Sequence, residues 1–210
     1  MWLLPAWRAK RLRQSAQAPS EFFPDPAPVG ASVAETSRQN AILASPNGTY
    51  PQGYNFALLN HGAKATGGTH PEALIDGDFT DYSGGTGFAT TTWGAKPAQF
   101  FLVTLRFPVT IDCVRLLLWD RDEDRYYRYK LEICADDKGE TWLLAADHTG
   151  PAEQCRSWQV VRFKPQPVKL IRLTGTYNSS NSGFHVVELQ ASLGLPPGTP
   201  PPRPAELLEF

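Results

Sequence analysis

The chain is expected to fold as an all-β protein of antiparallel strands, and three observations lead there. Residues Tyr127–Ile133 alternate strictly, with Tyr127, Tyr129, Leu131 and Ile133 on one face and Arg128, Lys130 and Glu132 on the other. This is the period of two that a half-buried strand requires. Apolar segments of strand length recur about every 10 to 15 residues between turn signals such as Asp137-Lys-Gly and Lys164-Pro-Gln-Pro, a rhythm that suits a sandwich. Helical periodicity is weak, confined to Pro71–Ile75 and the terminal segments, which disfavours a doubly wound α/β architecture.

Each element follows from its own residues. Phe101, Val103, Leu105 and Phe107 alternate with Leu102, Thr104 and Arg106, so a strand is expected there, ended by Pro108 because proline cannot donate to a ladder. Cys113–Trp119 is the next apolar strand. The run Asp120-Arg-Asp-Glu-Asp-Arg that follows cannot be buried unpaired and must project into water or a partner. Further strands are expected near Tyr126–Cys134, Trp142–Asp147, Trp158–Phe163, Lys169–Gly175 and Phe184–Ala191. Trp119, Trp142 and Trp158 fall at strand positions and are assigned to the core, where an indole buries roughly 150–250 Å². Trp93 ends the Gly- and Thr-rich run that begins at Ser83, and either closes that loop or faces a ligand.

Composition divides the chain into an N-terminal extended arm over 1–52, a sandwich domain over 53–193 and a Pro-rich C-terminal arm over 194–210. Four prolines lie between Pro19 and Pro28, and residues 196–204 read Pro-Pro-Gly-Thr-Pro-Pro-Pro-Arg-Pro, polyproline in character. Trp2, Leu3, Trp7, Phe22, Phe23, Leu207, Leu208 and Phe210 are large apolar residues in otherwise polar tails. Such residues anchor in the grooves of partner proteins, or pack back on their own domain.

Several classes are disfavoured. A formal net charge of -1 gives no general attraction to nucleic acid or anionic membranes, and no run approaches the roughly 18 apolar residues of a membrane span. The three cysteines, Cys113, Cys134 and Cys155, cannot all pair and form no CxxC, so neither a disulfide framework nor a zinc site is signalled. A reducing, intracellular setting is expected. The triplets Asn47-Gly-Thr and Asn178-Ser-Ser would matter only in a secreted chain. Residues Met1–Arg13 place the apolar segment before the basic one, the reverse of a signal peptide, while their Arg-rich, acid-free character leaves a mitochondrial destination as the alternative.

Catalysis is not indicated. Asp120, Asp122, Glu123 and Asp124 are interleaved with Arg121 and Arg125, which reads as a solvated, charge-balanced loop. His61, His70, His148 and His185 show no metal-ligating spacing, and there is no GxSxG and no phosphate loop. His185 reads as a packed or hydrogen-bonded core histidine, and Cys113 and Cys134 as small buried hydrophobes.

The segments Ala73-Leu-Ile-Asp-Gly-Asp-Phe-Thr, Gln99-Phe-Phe-Leu-Val-Thr-Leu, Tyr129-Lys-Leu-Glu-Ile with Gly139-Glu-Thr-Trp, Ile171-Arg-Leu and Val187-Glu-Leu resemble, in order and spacing, the discoidin or coagulation factor V/VIII type C domain. The wording is most similar to the discoidin-like domain of intracellular BTB-domain proteins, through Arg115-Leu-Leu-Leu-Trp-Asp, Cys155-Arg-Ser-Trp-Gln, Gly175-Thr-Tyr-Asn and Phe184-His. The resemblance implies an eight-stranded antiparallel jelly-roll β-sandwich of the galactose-binding type, with ligands received by loops at one end. In sugar-binding members it also implies calcium at positions matching Asp76, Asp78 and Glu188, with carbonyls near Ala73 and the Thr80 hydroxyl. The BTB-type members imply no cofactor, and a hydrogen-bonded turn at Asp76-Gly-Asp explains the same residues.

On that fold the loops Asp81–Trp93, Asp120–Tyr126 and Tyr177–Phe184 gather at one end. They offer Tyr82, Phe88 and Trp93, then Arg121, Arg125 and Tyr126, then Tyr177, Asn178 and Asn181 as partner-binding residues. The mixture suits a protein surface, with glycan as the alternative ligand. The function expected is a non-enzymatic interaction module, a structural or linker subunit of a larger multi-subunit assembly, for which a cytoskeletal or ciliary complex is one setting.

Overall fold

The computed structural model describes residues 42–45, 48–121 and 124–195. The anchors Trp2, Trp7, Phe22, Phe23 and Phe210, and the acids Asp122 and Glu123, lie outside them.

Among the described residues nine strands form, with one-turn 3-10 helices at Leu59–His61 and Pro71–Leu74, the second where the weak helical signal lay. Strands β1 (Ile42–Ser45) and β2 (Gly48–Pro51) make a two-stranded antiparallel sheet. β3 (Lys64–Thr66), β4 (Ala89–Thr92), β5 (Phe101–Leu118), β6 (Tyr127–Cys134), β7 (Leu143–His148), β8 (Trp158–Asn178) and β9 (Gly183–Ser192) form one antiparallel ladder in the order β4-β9-β5-β8-β6-β7, with β3 on the free side of β5.

The ladder folds over on itself because β5 and β8 are long and change partners halfway. Phe101–Thr104 pair with Leu170–Leu173, while Cys113–Leu117 pair with Trp158–Arg162 on one side and with β9 on the other. Two expected strands are therefore one in each case. Pro108 does not end a strand: it sits in a register shift between Thr104 and Val109, and Pro165 falls in the matching irregularity opposite Ile111–Cys113. Prolines are tolerated there because a bulge leaves their missing donors without a ladder partner. The bulges bend both strands from one layer into the other.

Rings meeting across layers show the closure. Phe184 of β9 lies 5.7 Å from Tyr127 and 6.4 Å from Tyr129, both of β6, although those strands are not paired. The core around them holds Leu116, Leu118, Leu131, Ile133, Ile171, Leu173 and Leu189, all buried. Its boundary precedes residue 53, since Tyr50 is buried against Phe56. Gly53 N–H donates to Leu193 O at 2.9 Å, so residues 53 and 193 lie side by side at the C-terminal tip of β9. The three cysteines are free and buried.

The three tryptophans assigned to the core are instead half-buried. Each stands at a strand end, where one ring face remains open, and an arginine covers it: Arg125 on Trp119 at 4.3 Å, Arg115 on Trp158 at 4.3 Å and Arg172 on Trp142 at 4.1 Å. The guanidinium plane suits the negative ring face and shields it from water.

Candidate functional site at the loop end

The N-terminal end of β9 is where the three expected loops converge. Trp93 N–H donates to Ser182 O at 3.0 Å and its indole Nε1 to Asn181 O at 2.8 Å, joining the first loop to the third. Ser179 N–H donates to Tyr126 O, and Tyr126 N–H to Ser179 Oγ, both at 3.0 Å, joining the third to the second. Trp119 Nε1 donates to Tyr82 O at 3.1 Å, joining β5 to the first.

One half of the surface is built on Trp119. Its ring lies 6.1 Å from Phe88 and 6.5 Å from Tyr82, and Arg125 stacks on it. Arg125 Nη1 also donates to His185 Nδ1 at 3.1 Å, which makes that nitrogen the acceptor. The His185 ring lies over Gly183, where a Cβ would approach Nε2 to 2.1 Å. Arg121 is exposed, its guanidinium 4.9 Å from the Tyr82 ring. Burial, and then Asp120, push the Tyr82 hydroxyl up to about 12, so it remains a neutral donor.

The other half is a row of rings, Trp93 to Tyr177 at 5.5 Å and Tyr177 to Tyr126 at 5.6 Å. Arg128 lies 4.5 Å from Tyr177, and Arg156 lies 5.7 Å from Tyr126. The Tyr177 hydroxyl, donating to Tyr126, is held above its ordinary value first by that hydrogen bond, which favours the neutral phenol.

Asn178, expected to offer its amide to a ligand, is 3% exposed. Its Nδ2 donates to Asn181 Oδ1 and Gly183 O, and its Oδ1 accepts from Ser180 N–H. It shapes the loop. Asn181, exposed, accepts from Gly183 N–H at 2.8 Å with the same Oδ1. Sequence reasoning placed Trp119 and His185 in the core and passed over Arg128 and Arg156. The usable signal was position: each lies within two residues of a strand end, beside an aromatic loop residue.

The Asp76-Gly-Asp turn is closed by its own bonds. Asp76 Oδ1 accepts from Asp78 N–H, and Asp78 Oδ1 accepts from Thr80 N–H, Thr80 Oγ1 and Asp81 N–H. Glu188 Oε2 accepts Gly77 N–H at 3.1 Å, while its Oε1 makes no hydrogen bond among the described residues. Burial, with Asp76 and Asp78 adding, pushes the Glu188 carboxyl up to about 9. The all-oxygen donor set of Asp76, Asp78 and Glu188 fits calcium, which would act there as a structural clasp. A proton on Glu188 satisfies the same orphaned oxygen.

The fold and this loop-end surface define an antiparallel β-sandwich whose tips carry the candidate site. The chain belongs to the F5/8 type C domain family, which it matches over residues 60–189. It is 37% identical over 136 residues to the human BTB/POZ domain-containing protein 9 and 38% identical over 120 residues to its Drosophila melanogaster counterpart. Those matches cover 65% and 57% of this chain but 21% and 16% of the relatives, so the chain spans about a fifth of their length. Among solved structures it is similar to chitosan-binding module 1 from a chitosanase/glucanase of Paenibacillus sp. IK-5, at TM-score 0.51 and 19% identity over 66% of this chain and 98% of that one. It is also similar to CpGH89CBM32-6 of Clostridium perfringens, at TM-score 0.50 and 14% identity over 67% and 99%. At such identities these two show the fold alone.

Proposed function

We propose that this domain is a non-enzymatic protein-recognition module whose loop end grips a partner in a multi-subunit, intracellular assembly. The observation that carries the reading is the stacking of Arg121, Arg125, Arg128 and Arg156 on Tyr82, Trp119, Tyr177 and Tyr126. Arginine and aromatic rings are the residue types that anchor protein interfaces. A sugar ring stacks on a bare aromatic face, and on these four rings an arginine lies on a face. A guanidinium is a planar fork suited to carboxylates and backbone carbonyls of a partner; Arg121 presents one at an exposed position, while Arg125 donates to His185 Nδ1 and Arg128 to the Pro151 and Glu153 carbonyls, which fixes their stacked poses.

Gly53 and Leu193 lie together at the opposite pole. The segments before and after the described domain would supply a second contact, as a linker subunit requires, and a cytoskeletal or ciliary assembly is the setting we favour over a mitochondrial one. Trp93 and the exposed Asn181 support the glycan alternative.

The test is affinity purification of the tagged full chain from its own cells, beside a glycan array. Retention of a defined complex, lost in Arg125→Ala/Arg128→Ala and on deletion of 1–28 or 196–210, together with a silent array, supports the reading. Array binding abolished by Tyr177→Ala, with no complex retained, overturns it in favour of a lectin.

A further inference from the structure

His148, Glu153 and Cys155 meet on the flank of the sheet beside the loop end, assembled by strand pairing rather than by any sequence motif. His148 lies opposite Tyr129 in the β6–β7 ladder. Cys155 lies opposite Tyr127, held by Tyr127 N–H to Cys155 O at 2.9 Å and Cys155 N–H to Tyr127 O at 3.1 Å. Residues two apart on a strand share a face, so this pairing sets His148 and Cys155 side by side. Glu153 enters from the turn between them, its N–H donating to Gly150 O at 3.0 Å and its carbonyl accepting Arg128 Nε at 3.2 Å. One ligand atom from each of the three lies within 4.8 Å of the others, and His148 Nδ1 is 3.1 Å from Glu153 Oε2.

We propose that His148, Glu153 and Cys155 form a binding site for a borderline-soft divalent cation, zinc above all, with water in the fourth position. An imidazole nitrogen, a thiolate sulfur and a carboxylate oxygen are the donors zinc selects, and the sulfur disfavours calcium and magnesium. Ligand atoms at about 2.0–2.3 Å from a tetrahedral zinc stand roughly 3.3–3.8 Å apart. The trio therefore needs to contract by up to about 1.5 Å, within reach of side-chain rotation at Glu153, whose side chain is 42% exposed. His148 is 34% exposed while Cys155 is buried, which gives the ion an entry path and a dry sulfur.

Burial and Glu153 push the Cys155 thiol up to about 12, so in the absence of a cation it is protonated and unreactive. The incoming ion displaces that proton: the S–H bond breaks, an S–metal bond forms, and one proton passes to solvent. No oxidation state changes. Binding also locks the turn whose Pro151 and Glu153 carbonyls accept from Arg128, the side chain that covers Tyr177. The cation thereby stiffens one wall of the loop-end surface.

The full chain, stripped with a chelator, is titrated with zinc chloride and separately with cobalt chloride. One zinc per chain is expected, with proton release, and cobalt gives a near-ultraviolet thiolate-to-metal charge-transfer band. The band and the zinc uptake disappear in Cys155→Ser and His148→Asn, and affinity falls by roughly tenfold or more in Glu153→Gln, while Cys134→Ser behaves as the parent. Because Cys155 is buried, His148→Asn and Glu153→Gln, checked for folding by near-ultraviolet circular dichroism, decide the matter. No saturable zinc uptake, uptake unchanged in those two variants, or a cobalt spectrum without the thiolate band each overturns the site.

Discussion

A methyl group at residue 175 would lie 2.0 Å from Cγ of Phe184, the ring that closes the two layers against each other. Phe184 is fully buried and packed against Phe101, Tyr127 and Tyr129, so it has no room to retreat. Gly175→Ala is expected to destabilise the domain by about 3 kcal/mol, the upper end of overpacking costs, read from the urea midpoint. Glu188 makes a different prediction. Its folded pKa of about 9 stands above the ordinary 4.5, so between those values the folded state holds more protons than the unfolded one. Stability is therefore full below 4.5 and falls as pH rises through 9. Calorimetric melts should show this decline in the parent and a flatter profile in Glu188→Gln, whose amide cannot ionise. If calcium takes the proton's place, added calcium chloride raises the parent's melting temperature at the alkaline end and leaves the variant unmoved.

At the scale of elements, β5 carries the most weight. Every residue from Ile111 to Leu118 is buried, because β5 lies between β8 and β9 there. Leu116→Ala is expected to cost about 2–5 kcal/mol, whereas Pro108→Ala, at an exposed position where pairing is already interrupted, should stay within about 1 kcal/mol. Denaturant midpoints of the two variants make the comparison directly. The alternation of Tyr127–Ile133 was legible because one face is apolar and the period is local. The continuity of β5 through Pro108 was not, because a strand interrupted by proline and a bulged strand have the same local residues. Only the pairing partner, some 60 residues away at Val168, distinguishes them.

Across the whole molecule, the loop end and the paired residues Gly53 and Leu193 occupy opposite tips of β9, a ten-residue strand and so about 30 Å long. Contacts so far apart share no side chains and should act independently. Combining Arg125→Ala/Arg128→Ala with deletion of 196–210 is expected to weaken binding to the purified complex by the sum of the separate effects, within about 0.5 kcal/mol. Isothermal titration of the four proteins measures the coupling. A large coupling energy would place the arm on the loop end itself.

The amino-acid sequence determined the all-β architecture, the family, and which three segments would carry the tips, since strand periodicity and turn chemistry are written in neighbouring residues. The tertiary structure decided the rest. It turned Asn178 inward to brace its loop, set arginines over the tryptophans, bent two strands into both layers and brought His148 beside Cys155. Each of these depends on which residues face each other across a ladder, and that register is set by burial over the entire sheet rather than by any local run of residues.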